Sequence, residues 1–160
     1  MQFSPATPPH SSTALTLVRR CSAAPEIEVD FTLSLTADDR MRSRHYFESV
    51  EGYPLYLNLP RGTLLHHDDV LEADGDQRRV RVIAKPEPVM VVTGNTLLDL
   101  LRAAYHLGNR HVALELTVKD IRLAPDPVLK AMLEQLGLRV VEDMAPFHPE
   151  AGAYGHPHTH

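Results

Sequence analysis

The sequence predicts an α+β protein in two folded parts, and three observations carry that prediction. Up to Ala84 the apolar residues recur at period 2 between short turn signals. Past Lys85-Pro86-Glu87-Pro88 they recur at period 3.6 in two places, and from Ala145 on Pro, Gly and His dominate. The expected division is a flexible lead-in over residues 1–12, a β-rich N-terminal domain over 13–85, a second domain carrying the helices over 86–144, and a flexible His-containing tail over 145–160.

The elements follow in order. Strands are expected over 13–18 and 26–35, and in the second Ile27, Val29, Phe31, Leu33 and Leu35 alternate with polar residues, the period of a half-buried strand. Ala37-Asp38-Asp39 reads as a turn. Further strands are expected over 44–50, 55–59, 70–73 and 79–84, divided by turn chemistry at Glu51-Gly52, Pro60-Arg61-Gly62 and Asp74-Gly75-Asp76. Short strands at this spacing suggest a small sandwich or barrel.

After the paired prolines, a strand over 89–92 leads through Thr93-Gly94-Asn95 to a helix. Its apolar set Leu97, Leu100, Leu101, Ala104 and Tyr105 keeps helical spacing until Gly108, the expected C-cap. Strands over 111–116 and 119–123 form a hairpin. Asp126-Pro127 then supplies an N-cap and a proline at the first helical position. Leu129, Met132, Leu133 and Leu136 make the buried stripe of that helix, Gly137 stops it, and a strand over 139–143 closes the domain. The succession β-α-β-β-α-β is the split pattern of ferredoxin-like domains, an antiparallel sheet with both helices on one face.

Composition narrows the function classes. Sixteen Lys and Arg against twenty-one Asp and Glu give a formal charge of -5, which argues against a broadly basic nucleic-acid-binding surface. Apolar residues at 43% support a core, but two domains of about 60–90 residues each would have marginal cores and would favour oligomerisation. Cys21 is the single cysteine, so neither an internal disulfide nor a Cys-based zinc site can form, which fits a reducing compartment. The best apolar run, Val89 to Val92, is far short of the ~18 residues that cross a membrane, and the first dozen residues lack the regions of a secretory signal. No HExxH, P-loop, GxGxxG or GxSxG run is present, and Cys21 has no evident partner for nucleophilic catalysis, so the chain is expected not to be an enzyme.

Ten histidines are the unusual number. His156, His158 and His160 place three imidazoles on a segment too polar to pack, and imidazole is a borderline ligand that suits Ni, Cu and Zn. A metal-binding tail and a merely solvated tail, or the remnant of a purification tag, both fit that composition. In Tyr105-His106-Leu107-Gly108-Asn109-Arg110-His111 two histidines flank a helix end, where one protomer offers two donors at most and a metal asks for about four. A two-fold axis would turn a single His111 into a pair, while His106 also reads as a core-edge or capping histidine. In His66-His67-Asp68-Asp69 neighbouring side chains point to opposite faces, so the run reads as a solvated turn before it reads as a ligand cluster. His10, His45 and His148 read as surface residues.

Two long runs carry a resemblance. Tyr105-His106-Leu107-Gly108-Asn109-Arg110-His111 and Ala145-Pro146-Phe147-His148-Pro149-Glu150-Ala151-Gly152-Ala153-Tyr154, with a His-bearing end, closely resemble the urease accessory protein UreE family of nickel metallochaperones. The likeness extends to Leu35-Thr36-Ala37-Asp38-Asp39-Arg40-Met41-Arg42-Ser43-Arg44, Leu59-Pro60-Arg61-Gly62-Thr63-Leu64-Leu65 and Pro86-Glu87-Pro88-Val89, and so covers most of the chain after about residue 14. It implies a β-rich domain followed by a ferredoxin-like one. It also implies a cytoplasmic homodimer in which His111 of each protomer binds one Ni(II) at the two-fold axis, with His156, His158 and His160 as auxiliary ligands.

The implied function is delivery of Ni(II) for assembly of the urease active site, with the accessory GTPase UreG and the urease apoprotein complex as partners. The alternative is a general protein-interaction module with incidental tail histidines. His106 matches the family run without thereby becoming a ligand. Three departures stand out: Pro127 where many members have histidine, Asp68 where glycine is usual, and a tail with only three histidines. Zn(II) or Cu(II) can occupy the same imidazoles, and by the Irving–Williams order Cu(II) should bind better, so selectivity must come from metal supply and partner contacts. Imidazole must be neutral to bind, so metal binding should weaken as pH falls through ~6.5.

Overall fold

The computed structural model describes residues 13–152. They form two compact units, each with its own sheet, and the division does not follow the sequence in one cut. The first unit takes the chain through Ser34 and again over Met41–Ile83; the second takes Leu35–Arg40 and everything from Ala84.

The first unit holds six strands: β1 (Leu15–Cys21), β2 (Phe31–Leu35), β3 (Arg44–Glu48), β4 (Pro54–Asn58), β5 (Val70–Ala73) and β6 (Arg79–Ala84), in the sheet order β2-β6-β5-β1-β4-β3. β1 runs parallel to β4, with Leu15 beside Leu55, and antiparallel to β5 through an irregularity between Leu17 and Arg19. The period-2 patterns bury one face: Leu17, Leu33, Leu55, Leu57, Leu71, Val80 and Val82 are almost fully enclosed. The two ends of the strand order meet, since the Val50 N–H donates to the Thr32 carbonyl at 2.8 Å and the Glu51 carboxylate accepts the Thr32 N–H at 3.0 Å. Those bonds cover the exposed edge of β2 and hold the Glu51 carboxyl below the usual carboxylate range.

The strand expected over 26–35 is present only as Phe31–Leu35. The reason is Arg81, whose guanidinium takes the Ile27 carbonyl at 2.7 Å and reaches those of Ala24 and Pro25, so these groups join a turn instead of a ladder. The turn expected at 37–39 is one turn of helix, α1 (Ala37–Arg40), started by the Thr36 hydroxyl, which accepts the Asp39 N–H at 3.3 Å.

The second unit contains β7 (Glu87–Thr93), α2 (Leu97–Gly108), β8 (Glu115–Leu116), β9 (Ile121–Leu123), α3 (Pro127–Gln135) and β10 (Arg139–Ala145), together with α1. Its sheet order is β10-β7-β9-β8 and every neighbouring pair is antiparallel. Thr96 and Asp99 form a reciprocal capping box at the start of α2. A Cβ at Gly94 would stand 2.7 Å from that of Asp99, so the approach to the helix requires glycine. At α3, Asp126 accepts the Val128 and Leu129 N–H groups at 2.8 and 2.9 Å, with Pro127 at the first helical position.

Leu100, Ala103 and Leu107 of α2 and Leu133 of α3 pack against Met90, Val92, Ile121, Leu123 and Val140 of the sheet. Leu136, expected in the buried stripe, caps α3 at 44% exposed, because the helix ends before the residue turns inward. The opposite face of the sheet carries a smaller cluster of Ala37, Val89 and Phe147. Past Ala145, the last residue of β10, residues 146–152 have no regular secondary structure, as expected, but Phe147 is buried and Glu150 donates its N–H to the Leu114 carbonyl at 2.7 Å.

One backbone feature of the first unit is open to test. Asp68 has φ +66°, in the left-handed region that favours glycine. Asp68→Gly and Asp68→Ala both remove the carboxylate, so their difference isolates the backbone. Thermal denaturation should find the Gly variant more stable than the Ala variant by about 1 kcal/mol; equal midpoints would show that the turn relaxes freely.

Candidate metal centre

The run that carries His106 and His111 forms the end of α2 and the turn beyond it. The helix continues through Gly108, so the expected C-cap is its last residue, and Asn109 caps it with right-handed backbone. The chain then reverses in a left-handed turn: the His111 N–H donates to the Gly108 carbonyl at 3.0 Å and the Val112 N–H to the Leu107 carbonyl at 3.3 Å, the two bonds of a Schellman motif. The residue in the left-handed position is His111, with φ +55°. This turn is why the strand expected over 111–116 is only Glu115–Leu116.

α3 ends in the same motif. The Gly137 N–H donates to Glu134 and the Leu138 N–H to Leu133, and there the left-handed position holds glycine, at φ +84°. Left-handed backbone costs a residue with a Cβ about 1–2 kcal/mol, so His111 occupies a place where glycine would fit the backbone better. Its side chain is exposed. His106, one turn earlier, is half-buried with its ring edge-on to Tyr105 at 5.4 Å, and its carbonyl accepts the Arg110 guanidinium at 2.9 Å. His106 thus belongs to the closure of the helix end.

Among the described residues no group of three or more His, Cys, Asp and Glu side chains converges as a metal cage. His111 is therefore one imidazole that needs donors from elsewhere. His156, His158 and His160 lie outside the described residues, as does His10. The last described part of the chain, however, comes close to the candidate: Glu150 is bonded to Leu114, three residues beyond His111 in the sequence.

α2 also presents an apolar stripe that its own unit does not cover. Leu97, Leu101 and Tyr105 are 60%, 57% and 67% exposed, with Leu98 beside them. These residues share one face at i, i+4 and i+8, while Leu100, Ala103 and Leu107 face the core. The signal lay in the apolar content of LLDLLRAAYHL, more than one buried face requires.

The other histidines have different surroundings. In His66-His67-Asp68-Asp69 the expected solvated turn is only half right, because Asp69 is 1% exposed. Its Oδ2 accepts Arg20 Nε at 2.8 Å and the His66 N–H at 2.7 Å, which fixes the turn, and His66 Nδ1 stands at 3.7 Å. His67 Nε2 lies 3.6 Å from Asp68. His45 packs its ring on Phe47 at 4.7 Å, and the His148 N–H donates to Glu115 at 2.9 Å.

The comparisons with known proteins agree over both units. A family model described as the UreE urease accessory protein N-terminal domain matches residues 15–85, and one for the C-terminal domain of the same protein matches 87–160. Curated relatives named urease accessory protein UreE include one from Nostoc sp., 49% identical over 91% of this chain and 99% of its own length. Another, from Nostoc punctiforme, is 56% identical over 82% of this chain and 90% of its own. A third, from Thermosynechococcus vestitus, is 50% identical over 91% and 99%. All three are named as accessory proteins and not as enzymes. With both domain models matched in order and about half of the residues identical over nearly full length, the chain belongs to the UreE family of urease accessory proteins.

Proposed function

We propose that this protein is a nickel-binding metallochaperone that delivers Ni(II) for assembly of the urease active site. The observation that carries the reading is His111: a solvent-facing imidazole held in left-handed backbone where the matching turn of α3 uses glycine. A solvent-exposed residue held in strained backbone is a functional candidate. The βαββαβ succession with sheet order β10-β7-β9-β8 supports placing this unit in the ferredoxin-like class.

The ligand set is completed by symmetry and by the tail. We take the bare stripe of Leu97, Leu101 and Tyr105 as the face on which a second copy docks, giving a homodimer whose two-fold axis pairs His111 with its own copy. His156, His158 and His160 supply further imidazoles. His156 is six steps along the chain from Glu150, a reach of at most about 20 Å, against about 10 Å for the three steps from Leu114 back to His111, so the tail is long enough to meet the site. Two imidazoles paired across the two-fold axis plus further ones from the tail, with exchangeable waters, suit a cargo that must be taken up and released. The receiving partners in this reading are the GTPase UreG and the urease apoprotein complex, in the cytoplasm. Among the described residues no helix is long and apolar enough to cross a membrane.

Three measurements test the reading. His111→Gly keeps the left-handed turn and removes both ligands paired across the axis at once, so calorimetric titration should lose the tightest nickel site, one per dimer, without loss of thermal stability. His111→Ala should lose the same site and also about 1 kcal/mol of stability. His106→Ala should keep the site and cost at most ~1 kcal/mol. If His106→Ala abolished the site and His111→Gly spared it, the ligand assignment would be wrong.

Light scattering should find the metal-free protein dimeric at micromolar concentration. Leu101→Glu, which changes a side chain outside the protomer's core, should make it monomeric with its circular dichroism unchanged. A dimer indifferent to that charge would move the interface elsewhere.

Deletion of residues 155–160 should leave folding and dimerisation intact while lowering the number or affinity of bound nickel ions. An unaltered isotherm would deny the tail histidines a role.

A further inference from the structure

A cleft in the first unit gathers charges that the nickel reading does not use. It has a volume of about 450 Å³ and lies between β1, β5 and the hairpin that joins β5 to β6. The sheet register builds its floor. Arg19 of β1 stands beside Glu72 of β5, and Glu72 beside Arg79 of β6, so the three form one row across neighbouring strands. At the usual strand spacing the two arginine stems are about 10 Å apart, with the carboxylate between them. The hairpin supplies the wall. There Asp76 accepts Arg78 Nε at 3.0 Å and Nη2 at 2.7 Å, and the Arg78 guanidinium lies 5.1 Å from the centre of the Tyr53 ring, itself stacked on Phe31 at 4.6 Å.

The wall and the floor differ in how far their charges are satisfied. Arg78 and Asp76 make a fork pair, which holds the guanidinium above and the carboxyl below their ordinary values. In the row, one carboxylate serves two cations. Arg19 donates through both Nε and Nη2 to Glu72 Oε2, while Arg79 Nε stands 3.6 Å from Oε1, beyond hydrogen-bond reach. Three guanidiniums and two carboxylates line the cleft, so it keeps one surplus positive charge in a chain whose formal charge is -5. Arg79 carries that surplus: its side chain is 45% exposed, and a guanidinium presents a planar fork that matches an oxyanion. The Arg19 guanidinium holds the Glu72 carboxyl below the usual carboxylate range, so Glu72 is charged at neutral pH.

We propose that this cleft binds a phosphate dianion, free or as an ester, through Arg79 and Arg19, with Glu72 as an internal competitor. The competitor sets the selectivity. A second carboxylate gains nothing over the one already in the row, whereas a dianion attracts the two guanidiniums more strongly than the single charge of Glu72 does. The volume exceeds what a bare phosphate fills and falls in the range of small-molecule clefts, about 300–1,000 Å³, which leaves room for the rest of an ester. The site uses no histidine, so it stands apart from the nickel reading.

The test is an NMR titration of full-length protein, following the arginine side-chain N–H signals at fixed ionic strength and at about pH 8, where a phosphate ester carries close to two charges. Inorganic phosphate and ADP, the two probes, should bind saturably at millimolar concentration, and acetate should not. Arg79→Gln should weaken both about tenfold or more, as the loss of charged hydrogen bonds predicts. Glu72→Gln should strengthen both about fivefold or more, because it removes a like charge roughly 4 Å from the bound anion. Arg79→Lys, which keeps the charge without the fork, should fall between wild type and Arg79→Gln; it carries the test if circular dichroism shows that Arg79→Gln misfolds. Equal affinities for the two probes would assign the cleft to the phosphate group alone, and tighter ADP binding to an ester, and either supports the site. Binding indifferent to Arg79→Gln or weakened by Glu72→Gln would overturn it, as would acetate binding as tightly as phosphate or no saturation by either probe.

Discussion

Much of the second unit depends on the left-handed turn that ends α2. A helix must satisfy its last carbonyls, and here the Val112 N–H returns to Leu107 while the His111 N–H returns to Gly108. The turn holds Leu107 fully buried over the sheet and places Val112 and Leu114 against the same core. It also brings the chain into β8 at the register that pairs Leu116 with Ile121. The residue at the turning point cannot share that burial, because the left-handed step directs it out of the helix line. His111 is exposed for the same reason that Leu107 is enclosed.

The second helix carries more apolar surface than its own unit covers. Leu100, Ala103 and Leu107 are used by the sheet, and the stripe through Leu97, Leu101 and Tyr105 remains in water. On its other face the sheet takes Ala37 and Arg40 from a segment that, in sequence, belongs between two strands of the first unit. The family models divide the chain at 85 and 87, and the compact units divide it differently because Ala37 and Arg40 pack with Val89 and Phe147.

Two histidine runs that look alike as sequence end in opposite circumstances. In His66-His67-Asp68-Asp69 the strongest acceptor, Asp69, is buried and bonded to Arg20 and to the His66 backbone, so the carboxylate fixes a turn. In the run ending at His111 the backbone bonds are complete without the imidazole, which leaves that side chain free of any structural duty in the turn. Donor spacing alone does not separate these cases; the hydrogen bonds already made by each group do.

By itself the sequence determined the two-part α+β organisation, most strands, and both helix starts, because period, capping residues and paired prolines act over a few neighbours. It also determined, through long specific runs, the family to which the chain belongs. Its failures were at elements whose boundaries depend on remote groups. Arg81 reaches across to shorten the strand before Phe31, Glu150 takes a carbonyl of the chain entering β8, and α1 is a helix where three polar residues read as a turn. His111 was legible as a candidate, but its left-handed backbone, the bare stripe along α2 and the hold of Arg40 and Glu115 on Phe147 and His148 were not. Each of those is a relation between residues far apart in the chain, and only tertiary packing decides which side chains such relations enclose and which they leave to solvent.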